Sequence, residues 1–533
     1  NIVANIVRDD FRKCLEITPH FALVADETTS QGKEVLSVCL SFLDLRDPSE
    51  PTKREVLLDI CPLQRTTGKA IATAIQDSLA KNEIDLTNCR GQAYDTTASM
   101  SSDKKGVHAE IAKSAPDADY QGCCLHSLNL VICHACKISQ VRNMMDSCHE
   151  LFKFFDNSPK RQNFLKVVID ALAPDDNRKR KLKDLCKTRW VARYDTFETL
   201  FSLYEYIVIT LNEICLPSDD DRFYDEGENW SWDSNTRSLA NGLRHTFANF
   251  GHIVSFVVSK ELLEPMRPLV SSLQGRLVEV YFGFSKIDQV LDMYAEIRKE
   301  INTWYHRMYN KVLALANVVG SAETFPRVCS RQRHRDNLPA ENALEYWKRT
   351  VAIPFLDIVC EEIKDRFSKE KRAHYELCTL MPEIILKKTT EEVVKLSQTL
   401  TTKWDHLMPI SPALEGELLR WKNVWHAHAE LGRGINVTSL LANHADSMFF
   451  PNVRELLKVL AVLPLGSTEA ERSFSCVRRV HTWLRSTMST ARLADLAVIA
   501  MNGQVVKIDR MEVCRRYVAA NARRMASSSL FTD

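Results

Sequence analysis

No apolar run in this chain approaches the length of a membrane span. An excess of either charge is missing too. The 70 Lys+Arg are matched by 69 Asp+Glu, so a nucleic-acid partner has to be argued from local basic clusters and not from net charge. No internal repeat or low-complexity tract interrupts the chain. The opening residues lack the basic, apolar and small-residue succession of a secretory leader, which argues against secretion. In a short secreted chain 16 cysteines would suggest a disulfide framework. Here many stand among apolar residues, as in Ser37-Val-Cys-Leu40, and are expected to be small buried thiols in a reducing compartment. The first residue is Asn1, in helix-like sequence, so a piece of a longer protein is expected, with any N-terminal DNA-reading module lying before it.

With 533 residues, 45% of them hydrophobic, the chain can bury more than one core. Roughly two to four domains are expected. Phe21-Ala-Leu-Val-Ala25 has the length of a buried strand and ends at Asp26. Glu34–Asp44 and Arg54–Ile60 follow as strands, and Gly68 opens a helical pattern through Ala72, Ile75 and Leu79. A fourth strand runs from Cys89 to Tyr94 and stops at Asp95; a helix over 107–114 leads to a fifth strand entering Cys123-Cys-Leu-His126. This order, β-β-β-α-β-α-β, is that of an RNase H-like fold with a mixed five-stranded sheet. From Leu128 onward helical spacing dominates to about residue 440. The acidic stretch from Asp219 to Glu228 is expected to be a solvated loop, because it lacks the sixth-position glycine of a calcium-binding loop. After Ser447 strongly apolar helices return.

Asp26 and Asp95 each end an apolar run, where a rigid sheet presents polar groups to a cleft. Two neighbouring carboxylates repel each other unless a divalent cation lies between them. Magnesium suits such a setting because it takes hard oxygen ligands and keeps exchangeable waters. A pair of ions can activate a water or a 3′-hydroxyl and stabilise the leaving oxygen of a phosphodiester. A third carboxylate on a helix usually completes such a site, and Glu471 in Ser467-Thr-Glu-Ala-Glu-Arg-Ser-Phe-Ser475 fits, with Glu469 as the fallback. The plain alternative for an aspartate at a strand end is a turn or helix-cap residue. Spacing alone does not decide between them, since Glu471 lies far along the chain from Asp95.

Four stretches together resemble the hAT transposase family. They are Ala25-Asp-Glu-Thr-Thr-Ser30; Gly91-Gln-Ala-Tyr-Asp-Thr-Thr-Ala-Ser-Met-Ser101 with Gly106-Val107; Cys123-Cys-Leu-His-Ser-Leu-Asn-Leu130 with Lys187-Thr-Arg-Trp-Val-Ala-Arg193; and Leu463–Ser475 with Leu484-Arg-Ser-Thr-Met488 and Arg492-Leu-Ala-Asp-Leu496. The likeness is nearest to the branch that holds the zinc-finger MYM-type proteins and the repressors of the inhibitor of the protein kinase. It implies an RNase H-like catalytic core interrupted by a large all-α insertion, with a C-terminal dimerisation segment that completes the core. On this chain the boundaries fall at 1–125, 126–446 and 447–533. The resemblance also implies an Asp-Asp-Glu site at Asp26, Asp95 and Glu471, using two magnesium or manganese ions for strand cleavage and transfer. The partners implied are transposon-end and target DNA and at least a second copy of the chain, in the nucleus and with no membrane. Two positions depart from the pattern: Thr96 and Thr97 stand where a Gly-Ala-like pair is usual, and Leu125 where a small residue precedes the motif histidine. A domesticated, catalytically silent relative acting in DNA binding and dimerisation is the alternative.

Trp190 matches a family tryptophan that handles DNA at the cleaved end, and an indole can stack on an unpaired base; a core tryptophan is the competing assignment. Around it stand Arg178, Lys179, Arg180, Lys181, Lys183, Lys187, Arg189 and Arg193 against the single acid Asp184. Such a segment suits phosphate contacts or nuclear import. Arg331, Arg333, His334 and Arg335 form a second basic cluster. Cys123 and His126, with Cys133 and Cys136 behind them, have zinc-ligand chemistry. Residues 126–140 read as one helix, however, which strains a zinc loop. Zinc is therefore not expected, and Cys123 and His126 are expected to support the metal site from behind.

Overall fold

The computed structural model describes residues 1–173, 182, 194–216, 223, 230–275, 277–326, 340–372, 375–428 and 430–521. The acidic loop at 219–228 lies almost entirely outside them. So do Arg178, Lys179, Arg180, Lys181, Lys187, Arg189, Trp190, Arg193 and the 331–335 cluster. The chain divides into two compact units, Asn1–Ser127 with Leu273–Ser285 and Ser368–Asp533, and Leu128–Ser272 with Lys286–Phe367. The expected boundaries followed the change from strands to helices. Compactness instead groups the helices after Ser368 with the sheet.

The first unit holds a mixed five-stranded sheet: β1 (Phe21–Ser30), β2 (Lys33–Asp44), β3 (Thr52–Pro62), β4 (Cys89–Tyr94) and β5 (Asp119–Gly122), in the order β3-β2-β1-β4-β5. The β1–β2 and β2–β3 pairs are antiparallel; β1–β4 and β4–β5 are parallel. Phe21–Ala25 is buried throughout, which explains a continuous apolar run in place of alternation: both faces of the central strand are covered. β1 does not stop at Asp26 as expected from its apolar run. Gln31 (φ 50°) and Gly32 (φ 74°) form a two-residue turn with positive φ at both positions, the geometry that matches strand twist. That turn holds the polar Glu27–Ser30 in register with Lys33–Leu36.

Helix Gly68–Lys81 carries the chain from β3 to β4 and buries Ile71, Ala72, Ile75 and Leu79. Its first turn is capped by Thr67, whose hydroxyl accepts from Ala70 N. The C-terminal helices Thr468–Val480 and Thr490–Asn502 complete the same core, contributing Ala470, Cys476, Val477, Leu493, Ala497 and Val498 beside Phe21, Leu23 and Leu40. Buried Arg8 ties the N-terminal helix Ile2–Ile17 to both partners, donating to Leu58 O at 3.2 Å and pairing with Asp495 at 2.9 Å.

Asn502 closes the bulge in β3. Its amide donates to Leu57 O at 2.9 Å and accepts from Leu57 N at 3.2 Å, with 2% of the residue exposed. Asn502→Ala would leave both backbone groups buried and unpaired. A loss of about 2–4 kcal/mol is expected, read from urea unfolding as a lower midpoint at unchanged m value.

The helices following Ser368 pack with Trp404, Trp421 and Trp425 fully buried. Trp421 donates to Leu380 O at 2.9 Å, and the buried carboxylate of Glu417 accepts from Val453 N at 2.7 Å, serving the start of helix Pro451–Val462. Among its described residues the second unit has helices and connecting segments and no strand. Phe250–Leu263 is buried nearly all round, as expected of an apolar helix surrounded by others. Among the described residues no helix is long and apolar enough to cross a membrane.

Candidate active site

β1 and β4 run parallel, and their last recorded pair is Val24 with Ala93. Asp26 and Asp95 each stand two residues beyond that pair, at the same end of neighbouring strands. β4 ends at Tyr94, so Asp95 opens the loop at the carboxyl edge of the sheet, where open α/β sheets bind ligands. Asp95 Oδ1 accepts from Thr97 N at 3.1 Å and from Thr97 Oγ1 at 2.6 Å, while Tyr120 donates to Asp95 O at 2.6 Å. Thr97 thus orients the carboxylate that follows β4.

Glu471 lies in the first turn of helix Thr468–Val480. That helix is fixed to the sheet by Ser473, whose hydroxyl is hydrogen-bonded to that of Ser37 at 2.7 Å with both residues buried. Ser37 is the β2 partner of Asp26, and directly opposed residues share a face of the sheet. The helix therefore covers the face that carries Asp26. Burial pushes the Asp26 carboxyl up to about 7; the charge of Glu471 adds to this, followed by that of Asp95. A hydrogen bond from Glu27 N, at 2.9 Å, opposes the rise. Two distant carboxylates thus act on the third through space.

Glu469, the fallback, is buried and paired with Arg472 at 2.8 Å, and Arg472 also donates to Gln274 O. Its charge faces Cys39, while that of Glu471 faces Asp26 and Cys123. Between the two glutamates, Glu471 is the neighbour of Asp26.

Cys123 holds the turn that precedes Glu471. Its N–H donates to Tyr94 O at 2.8 Å, extending the β4–β5 pairing, and its Sγ accepts from Ser467 N at 3.3 Å. Cys124 N donates to Leu465 O at 3.2 Å. A Cβ on Gly466 would lie 2.8 Å from Cys123 Sγ, so the turn fits only a glycine at this approach. Burial, then Glu471, raises the Cys123 thiol. His126 is half-buried in the first turn of helix Cys124–Ala135, the same helix that carries Cys133.

Glu27 was not singled out from the sequence. Burial raises its carboxyl, followed by the charges of Asp95 and Glu34, and its Oε2 is buried without a hydrogen-bond partner. A raised Asp26 is what crowded acids show without a counter-charge, and a divalent cation is the group that would relieve it; Glu27, next along the strand, points to the other face of the sheet. The donor chemistry fits magnesium or manganese. Among the described residues, no three His, Cys, Asp or Glu side chains converge as a finished metal cage.

No protein-family profile matches the chain. The 52 kDa repressor of the inhibitor of the protein kinase of Homo sapiens is 26% identical over 510 residues, covering 94% of this chain and 64% of the relative. The protein of the same name from Mus musculus is likewise 26% identical over 510 residues. The chain spans about 64% of the length of these curated relatives. It is thus similar, distantly but over most of its own length, to proteins named as repressors.

Proposed function

We propose that the chain is the catalytic body of a hAT-type DNA transposase, or of a protein derived from one, built on an RNase H-like core and cleaving and transferring DNA strands. The observation that carries this reading is the Ser37–Ser473 hydrogen bond, which lays the Glu471 helix over the sheet face that carries half-buried Asp26. The strand order β3-β2-β1-β4-β5 supports it, since the resemblance implies such a sheet. Asp26, Asp95 and Glu471 would hold one or two magnesium or manganese ions, which when bound supply a Lewis acid for the phosphodiester and lower the pKa of a bound water. The protein's own part is positional. Ser473 and Cys123 seat the Glu471 helix, Thr97 aims Asp95, and the partial burial of Asp26 strengthens the charge interactions there. Trp190 and the basic residues from Arg178 to Arg193 would contact the DNA ends, in a nuclear protein acting as a dimer or larger.

A catalytically silent factor that binds DNA and dimerises is the second reading. The relatives' name as repressors favours it. Nicking of supercoiled plasmid, and joining of a 3′-hydroxyl oligonucleotide duplex to it, separate the two readings. The first expects both products in magnesium or manganese and neither in EDTA; the second expects DNA retention with no product under any condition.

A further inference from the structure

The helix that carries Glu471 ends in an exposed surface whose composition differs from the rest of its unit. Between Glu471 and Asp495 the chain has no acidic residue. Arg478, Arg479, Arg485 and Arg492 are all exposed there, and among the described residues no carboxylate pairs with them. Elsewhere in the same unit, arginines such as Arg46, Arg54 and Arg516 are ion-paired. Trp483 is 75% exposed and Leu484 74%, on a single 3-10 turn over Trp483–Arg485. The loop itself is well anchored. Buried His481 Nδ1 lies 3.0 Å from Ser30 Oγ at the end of β1, Arg485 N donates to Thr482 O at 2.8 Å, and Ser489 caps the next helix at Arg492 N.

We propose that Trp483, with Arg478, Arg479 and Arg485, binds an unpaired DNA strand next to the carboxylate site, the indole stacking on a base and the guanidiniums holding phosphates. The proposal rests on the DNA-strand reading of that site. Along the chain this exposed indole stands among exposed arginines and hydroxyl residues with no acid between Glu471 and Asp495, a composition complementary to a polyanion. An indole face offers the sequence-tolerant stacking that unpaired bases accept and paired ones do not. Position agrees. From Glu471 to Val480 the helix advances about 13 Å, and from Asp26 to Ser30 the strand advances about 13 Å. The surface therefore begins about four stacked nucleotides, at about 3.4 Å each, from the acids.

Fluorescence anisotropy of the full 533-residue chain with a labelled 15-nucleotide single strand in EDTA tests this without any cleavage. Trp483→Ala should weaken binding about 5- to 100-fold, the stacking contribution of one base, and Trp483→Phe should restore most of it. The triple change Arg478→Ala, Arg479→Ala, Arg485→Ala should flatten the slope of log K against log salt by about 2. Affinity and slope unchanged in both variants would overturn the proposal, as would a loss confined to self-association in sedimentation. A strand-binding wild type that never nicks DNA would refute only the catalytic reading. Nicking activity with binding indifferent to Trp483 would refute only this one.

Discussion

Glu471→Gln is expected to lower magnesium-dependent strand cleavage by about 10³-fold or more with little change in unfolding midpoint. A metal ion's charge stabilisation is worth several kcal/mol in a phosphoryl-type transition state, and each 1.36 kcal/mol is about tenfold in rate. The control is Glu469→Gln, two positions away. Glu469 is buried and bound to Arg472, so its loss leaves a guanidinium without its carboxylate. That variant should be less stable, while the folded fraction keeps most of its activity. Both variants are measured by plasmid nicking normalised to folded protein. Equal activity losses in the two would mean that the glutamate assignment is wrong.

Asp26→Asn should make the metal-free protein more stable at pH 8. The sign follows from proton counting. The Asp26 carboxyl is raised from 3.8 to about 7 in the fold, so between these values the native state binds more protons than the unfolded chain. Stability of the wild type therefore falls as pH rises through this window, and the penalty is complete above about 7. Asparagine carries no such charge and keeps the carbonyl oxygen that accepts from Glu27 N. The advantage of the variant should be on the order of 2–4 kcal/mol at pH 8 in EDTA, shrinking as pH falls below 7 and gone near pH 4. Urea unfolding at four pH values reads it. Saturating magnesium should reverse the order, because only the wild type gains stability from a bound cation.

Part of the sheet could be read from the chain because a buried strand such as Phe21–Ala25 is an unbroken apolar run, whereas Cys89–Tyr94 buries Arg90 and Gln92 among its apolar residues. The second half of β1 could not. Glu27, Thr28 and Thr29 have no apolar signature, and they are strand only because Gln31-Gly32 turns the chain back onto Lys33–Leu36. Missing that extension also hid Glu27, whose burial follows from being inside the ladder. Asp26, Asp95 and Glu471 were named from motif resemblance, since sequence spacing says nothing about meeting in space; the serine pair Ser37–Ser473 that fixes the helix over Asp26 has no sequence signal at all. The helices after Ser368 were legible as helices from their apolar spacing, but periodicity marks a buried face without saying what covers it. Trp421 and Glu417 settle there by reaching Leu380 and Val453. Trp483 escaped for the opposite reason. An exposed tryptophan and a core tryptophan look alike in a sequence, and only its accessibility separates it from Trp404 or Trp425.

That Asp26, Asp95 and Glu471 grip the same cations is tested most directly by manganese binding, followed through loss of the free-ion electron paramagnetic resonance signal. Wild type should take up manganese, and Asp26→Asn, Asp95→Asn and Glu471→Gln should each weaken it about tenfold or more, with Glu469→Gln unaffected. Uptake that is the same in all five proteins would contradict a shared site.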